Sequence, residues 1–213
     1  MNITALRDSV QRAQQLDQQA LLHKWLAERL PHLHSSIVPP ADGSEGLLRF
    51  VEAYIEEVPY VLEAAQSVAR QANLEALLLP VLRVAADFFL QPPELPDDHH
   101  GMLALLDEAY LAHRLVEEVN DRYASHGGTP LIPLDTTRAN LIVHHLLGEP
   151  FANQLDSAVE EAVNGLLPAS LFASDEFQHH LKRLDASQRQ QLWDQWPCLS
   201  SRLGMNIRLA NAI

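Results

Sequence analysis

Cysteine is almost missing from this chain: among 213 residues there is one, Cys198. No intrachain disulfide can form, and a multi-cysteine zinc site is excluded. Glycine is scarce, at 8 residues. Runs that alternate apolar and polar residues around β-branched side chains are few, so no strand is expected. Neither a glycine-rich phosphate loop nor a Gly-x-Ser-x-Gly elbow occurs, and His-Glu-x-x-His is absent. There is no basic strip interleaved with aromatics of the kind nucleic acid binds. Long apolar runs are missing too. The longest, Ala76 to Leu90, is 15 residues and carries Pro80, Arg83 and Asp87, against the roughly 20 needed to span a bilayer. Met1-Asn2-Ile3-Thr4 has neither the basic nor the apolar part of a signal peptide. The expectation is a cytoplasmic protein with no transmembrane segment.

Positive charge is scarce in the middle of the chain. From Ala41 to Asp121 there are 16 Asp and Glu against 4 Arg and no Lys, a local net of -12 within a whole-chain charge of -13. Such a stretch repels phosphates and anionic lipid headgroups. It suits a basic protein surface, a metal ion, or solubility alone.

What the chain does contain is helix-forming sequence. Hydrophobic content of 47% is that of a globular protein, and Leu, Ala, Gln and Glu favour helix. Thr4 can cap a helix to about Leu30, where Pro31 stops it, and residues 32–42 form a loop suited to a hinge. Ser44 can cap a helix whose inner face is Leu47, Leu48, Val51, Tyr54, Ile55 and Val58. Pro59 either kinks it or opens the next helix, which ends near Ala72. Asn73 can cap Leu74–Leu90, which is apolar nearly all round and so predicted at the centre, with a kink at Pro80. Met102 to Tyr123 reads as a long amphipathic helix ended by His126-Gly127-Gly128. Asp135 caps a short helix closed by Gly148, Pro150 opens another ending before Pro168, and Ser174 caps Asp175–Leu184. Asp185-Ala186-Ser187-Gln188 resembles a capping box for a last helix to Trp196. The fold class is all-α, an irregular helical bundle of about eight or nine helices built on a helical hairpin (74–90 and 102–123). Its predicted divisions are an N-terminal helix and linker (1–40), an acidic helical core (41–126) and a C-terminal helical extension packed on that core (127–213).

Between the hairpin helices lies the most distinctive stretch, Gln91 to Gly101, with three prolines, a run of acids and His99-His100. From Pro92 to Glu108 it resembles the signature of the YkvA-like family, a small helical bacterial domain of unknown function. Pro92, Glu94, Leu95 and Asp98 fall on that family's Pro, first Asp, Leu and last Asp. Asp107-Glu108 fall on its acidic pair, and Phe88 and Phe89 on the aromatic end of the preceding helix. The second proline of the signature falls on Asp97, beside Pro96, its glycine falls on Ala104, and two of its Asp positions are Glu. The resemblance implies a helical hairpin with an acidic turn, and it brings no known activity.

The same residues are the candidate site. Asp98, His100, Asp107 and Glu108 offer oxygen and nitrogen donors that suit a divalent metal such as Mg, Mn, Fe or Zn. The plainer account is that Asp97 and Asp98 cap a helix and Asp107-Glu108 cover a solvated face. His113 and Glu117, four apart, can share a metal or form an ion pair, and the ion pair is the simpler outcome. Glu176-x-x-His179 stands alone, whereas a di-iron bundle needs two such motifs plus further glutamates, for which Glu52, Glu56 and Glu63 are the available residues. The pairs His144-His145 and His179-His180 diverge by about 100° on a helix. Cys198, beside Trp193 and Trp196, reads as a buried structural thiol.

With no catalytic motif and no required cofactor, the function expected is a non-enzymatic binding or scaffold protein. It presents an acidic surface to a protein partner or to a second copy of itself. Two alternatives stay open: a metal-dependent enzyme or metal-binding protein with a carboxylate/His site near 97–108, and a helical cavity for a small apolar ligand.

Overall fold

The computed structural model describes residues 1–15, 19–71, 74–92, 99–127, 134–183 and 198–208. Among them are ten α-helices: α1 Ile3–Gln15, α2 Gln19–Arg29, α3 Ser44–Gln71, α4 Glu75–Leu90, α5 Met102–Gly127, α6 Thr137–Leu147, α7 Glu149–Leu166, α8 Ala169–Phe172, α9 Asp175–Arg183 and α10 Leu199–Arg202. The all-α class is therefore observed. The helix read from Thr4 to Leu30 is seen as α1 and α2, and residues 16–18 lie outside the described ones. So do Asn73 and the helix expected from Asp185 to Trp196.

Pro59 sits inside the unbroken α3, so it neither ends that helix nor opens a new one. Ser44 was expected to cap α3. Its hydroxyl instead lies 3.3 Å from His23 Nε2, and Leu47 N–H bonds the carbonyl of Gly43. Local signals elsewhere act as read. Asp135 Oδ1 accepts the Thr137 N–H at 3.0 Å, and Ser174 Oγ accepts the Phe177 N–H at 3.3 Å. Gly148, at φ +95, closes α6 and leads straight into α7. Only glycine takes that backbone conformation without strain.

The centre of the bundle is α5. Residues all around it are buried, from Met102, Leu105 and Leu106 to Leu115, Val116 and Val119, and it packs against α4, α7, α3, α6, α1 and α2. The central helical hairpin read at 74–90 and 102–123 is thus observed, with α5 and not α4 as the arm buried all round. Helix α4 lies along α5 in the most extensive contact of the molecule. It buries Leu78, Val81, Leu82, Ala85, Ala86 and Phe89 and turns Ala76, Pro80, Arg83 and Asp87 outward. Its high apolar content marks one thick face, not burial all round. The buried apolar side chains form one cluster that takes in Leu6 of α1 and Met205 near the C-terminus. No helix among the described residues is long and apolar enough to cross a membrane.

Two short strands contradict the expectation of none. β1 (Ile37–Val38) pairs antiparallel with β2 (Asn206–Ile207). Two residues per strand are too few for any alternation to show. The loop read as a hinge is thus tied down, since Arg29 Nε also donates to the Leu146 carbonyl at 2.6 Å and His34 N–H to His145 Nε2 at 2.9 Å.

Gly46 is a point of close approach. A Cβ there would fall on Asp42 and on the Pro40 ring. Gly46→Ala is expected to lower stability by about 1–3 kcal/mol through overpacking. Gly165→Ala in α7, where an added Cβ meets nothing within 4 Å, should cost none. Urea denaturation of both variants checks the contrast, and equal effects would refute it.

Candidate functional site

Helix α5 carries Tyr110, Arg114, Glu117 and Asp121 at spacings of four, three and four, which places them along one helical stripe. Helix α6 brings Thr137, Asn140, Leu141 and His144 by the same periodicity, and α7 brings Asp156. These side chains, with Glu118, line a cavity of about 310 Å³ between the three helices.

Its inner wall is a continuous chain of hydrogen bonds. The Tyr54 hydroxyl of α3 donates to Asn140 Oδ1 at 2.6 Å, and Asn140 Nδ2 donates to Glu117 Oε2 at 2.6 Å. Arg114 donates through Nη1 to Glu117 Oε2 at 2.8 Å and through Nε to Asp156 Oδ1 at 2.9 Å. The Tyr110 hydroxyl donates to that same Asp156 oxygen at 2.9 Å. His144 Nε2 stands 3.5 Å from Asp156 Oδ2 and 3.2 Å from Asn153 Oδ1.

The electrostatics follow from burial and from these partners. Burial raises both Tyr54 and Tyr110 well above the usual phenol range, so both are protonated donors. Burial works against the Arg114 charge, but Glu117 and Asp156 outweigh it and hold the guanidinium above its usual range. Asp121 has an exposed side chain, yet partial desolvation and the neighbouring charges of Glu117 and Glu118 raise it above the usual carboxylate value. Glu118 is answered by Arg122 Nε at 3.0 Å.

His113 faces the other way. It does not pair with Glu117, which corrects the expected ion pair. Its Nε2–H donates to the Tyr54 carbonyl at 2.9 Å, and its ring lies 4.3 Å from the Tyr54 ring. Burial pushes it down to about 4, so the imidazole is neutral. A ring fixed this way has Nε2 spent on the backbone and is a packing element.

Of the residues singled out near 97–108, Asp97 and Asp98 lie outside the described ones. His100 is exposed and Glu108 half-buried. Asp107 is buried, and its Oδ2 accepts the His99 Nδ1–H at 2.7 Å. The His99 ring stands edge-on to Trp25 at 6.0 Å and to Phe151 at 5.4 Å. Asp107 thus serves a helix-to-loop clasp instead of covering a solvated face. Glu56 and Glu63 turn to Gln14 and Arg7 of α1, and His179 is exposed. Among the described residues no three His, Cys, Asp or Glu side chains are gathered as a metal ion needs. His144 and His145 diverge as expected, one to the cavity and one to His34. Cys198 is half-buried, with Sγ 3.2 Å from Ser200 Oγ.

Of the cavity residues, sequence reasoning singled out only Glu117 and His144 and missed the others. The signal present was the polar stripe on α5 repeated by a polar stripe on α6. Fold and site together define an all-α bundle in which a buried polar chain backs an acidic cleft. Compared with protein families, with curated proteins and with solved structures, the chain matches none.

Proposed function

We propose that this chain is a non-enzymatic binding protein that presents an acidic helical face to a basic protein partner, with the cleft between α5, α6 and α7 at the middle of that face. The observation that carries this reading is the cleft itself, where Glu117, Glu118, Asp121 and Asp156 share the lining with one guanidinium, Arg114. Its inner polar groups are spent on one another, which makes a rigid wall and leaves no nucleophile and base in partnership. The resemblance of the turn before α5 to the YkvA-like family adds no activity to this reading.

A lysine- and arginine-rich peptide is expected to bind the full chain at low salt and to weaken as salt rises, while an acidic peptide of equal length does not bind. Asp121→Asn should weaken that binding more than Asp87→Asn, which removes the same charge from the exposed face of α4. Titration calorimetry reads both comparisons. If neither peptide binds, or if the two substitutions act alike, the cleft is not the centre of the interaction. Native mass spectrometry of the free chain separates this from self-association.

A further inference from the structure

The cleft is shaped for one small group, not for a whole helix. At about 310 Å³ it stands at the lower end of ligand-sized cavities. A single long side chain, or a free molecule of that size, fills it.

Its charge is only partly balanced from within. Arg114 bridges Glu117 and Asp156, and Arg122 answers Glu118. Asp121 is partly desolvated and feels the like charges of Glu117, Glu118 and Asp135, against the opposing charge of Arg114. A guest that relieves this repulsion carries positive charge. The acidic donors are dispersed along two helices, and among the described residues none are gathered as a metal ion needs, so an organic cation that spreads several N–H donors suits them better than a bare ion. The remaining lining is not acidic. Leu141 is 55% exposed and offers the cleft an apolar surface. The Tyr110 and His144 rings meet at 6.2 Å and 60° on one wall.

Resting on the binding reading above, we infer that the cleft takes a primary ammonium or guanidinium head on a short alkyl stem. The head lies toward Asp121 and Glu117, and the stem lies across Leu141. That chemistry belongs equally to a free alkylamine and to a lysine or arginine side chain offered by the partner.

The test uses the full chain with n-butylammonium, n-butylguanidinium and n-butanol as free probes. It is paired with a basic peptide in two forms, side-chain amines free or acetylated. Two variants report the site. Asp121→Asn removes the uncompensated carboxylate. Leu141→Lys tethers a competing ammonium at the lining. Both positions are exposed, and melting curves confirm folding.

Binding of either cation but not of butanol, weakened at least tenfold by both variants, is the expected result. If the free-amine peptide binds in the same variant-sensitive way and its acetylated form does not, the guest is a partner's side chain. If only the small cations bind, it is a free amine. A peptide that binds equally well to wild type and both variants overturns the cleft as the head's site and leaves the acidic-face reading standing. No binding of any cation, small or peptide, overturns both.

Discussion

Arg114→Met is expected to lower stability by about 2–3 kcal/mol, because the partly buried guanidinium makes charged hydrogen bonds to two carboxylates. For a chain of this length that corresponds to roughly 4–12 °C in Tm. Glu117 is only 8% exposed. Without the guanidinium its Oε2 keeps Asn140 Nδ2 alone, and Asp156 keeps the Tyr110 hydroxyl and the more distant His144. Two carboxylates would then share the cavity wall with no cation bonded between them. Combining Arg114→Met with Glu117→Gln should recover part of the loss, because the amide carries no charge. Thermal and urea denaturation of the single and double variants measure this coupling. A single-variant loss below about 1 kcal/mol would mean that water already screens the pair and that the wall is not a desolvated unit.

The second large effect depends on pH. In the unfolded chain His113 titrates near its ordinary value of about 6.5, whereas burial in the fold pushes it down to about 4. Below pH 6.5 the unfolded state binds a proton that the folded state refuses. Stability from this group is therefore complete above pH 6.5, falls as pH drops toward 4, and levels off below. The loss is on the order of 3 kcal/mol. Many carboxylates titrate in the same window, so the quantity to measure is a difference. Urea denaturation of wild type and of His113→Gln at a series of pH values should give curves that converge with acid. A gap between them that stays constant from pH 6.5 to 4 would show that His113 is not held neutral by burial.

These two residues show where the sequence was legible and where it was not. Many signals confined to a few neighbouring residues were readable, though Ser44 does not cap α3. Asp135 and Ser174 cap, Gly148 closes a helix, and Pro150 opens one, because each acts on its own backbone. The central hairpin of α4 and α5 was readable too, but which of its arms is buried all round was not. Periodicity treats a polar residue as exposed, yet Arg114, Glu117 and His113 are turned inward and satisfied by partners on other helices. That inversion made α5 read as amphipathic although it is the more deeply buried arm of the hairpin. The cleft needs α5, α6 and α7 side by side, and packing order is a long-range property that no local pattern carries. The acidic stretch before α5 drew attention to Asp107, whose carboxylate is held by His99. Sequence alone could not show that a histidine eight residues earlier would fold back onto it.

The small ladder between β1 and β2 bears on how the chain reaches this state. Ile37 pairs with Ile207, 170 residues further on, and Arg208 N–H adds a bond to the Ser36 carbonyl at 2.7 Å. Closing so long a loop costs entropy that two residue pairs cannot offset by themselves. The ladder is therefore a product of the finished bundle and not its nucleus. The helical contacts around α5 bring the distant segments within reach, and the pairing then records that they have met.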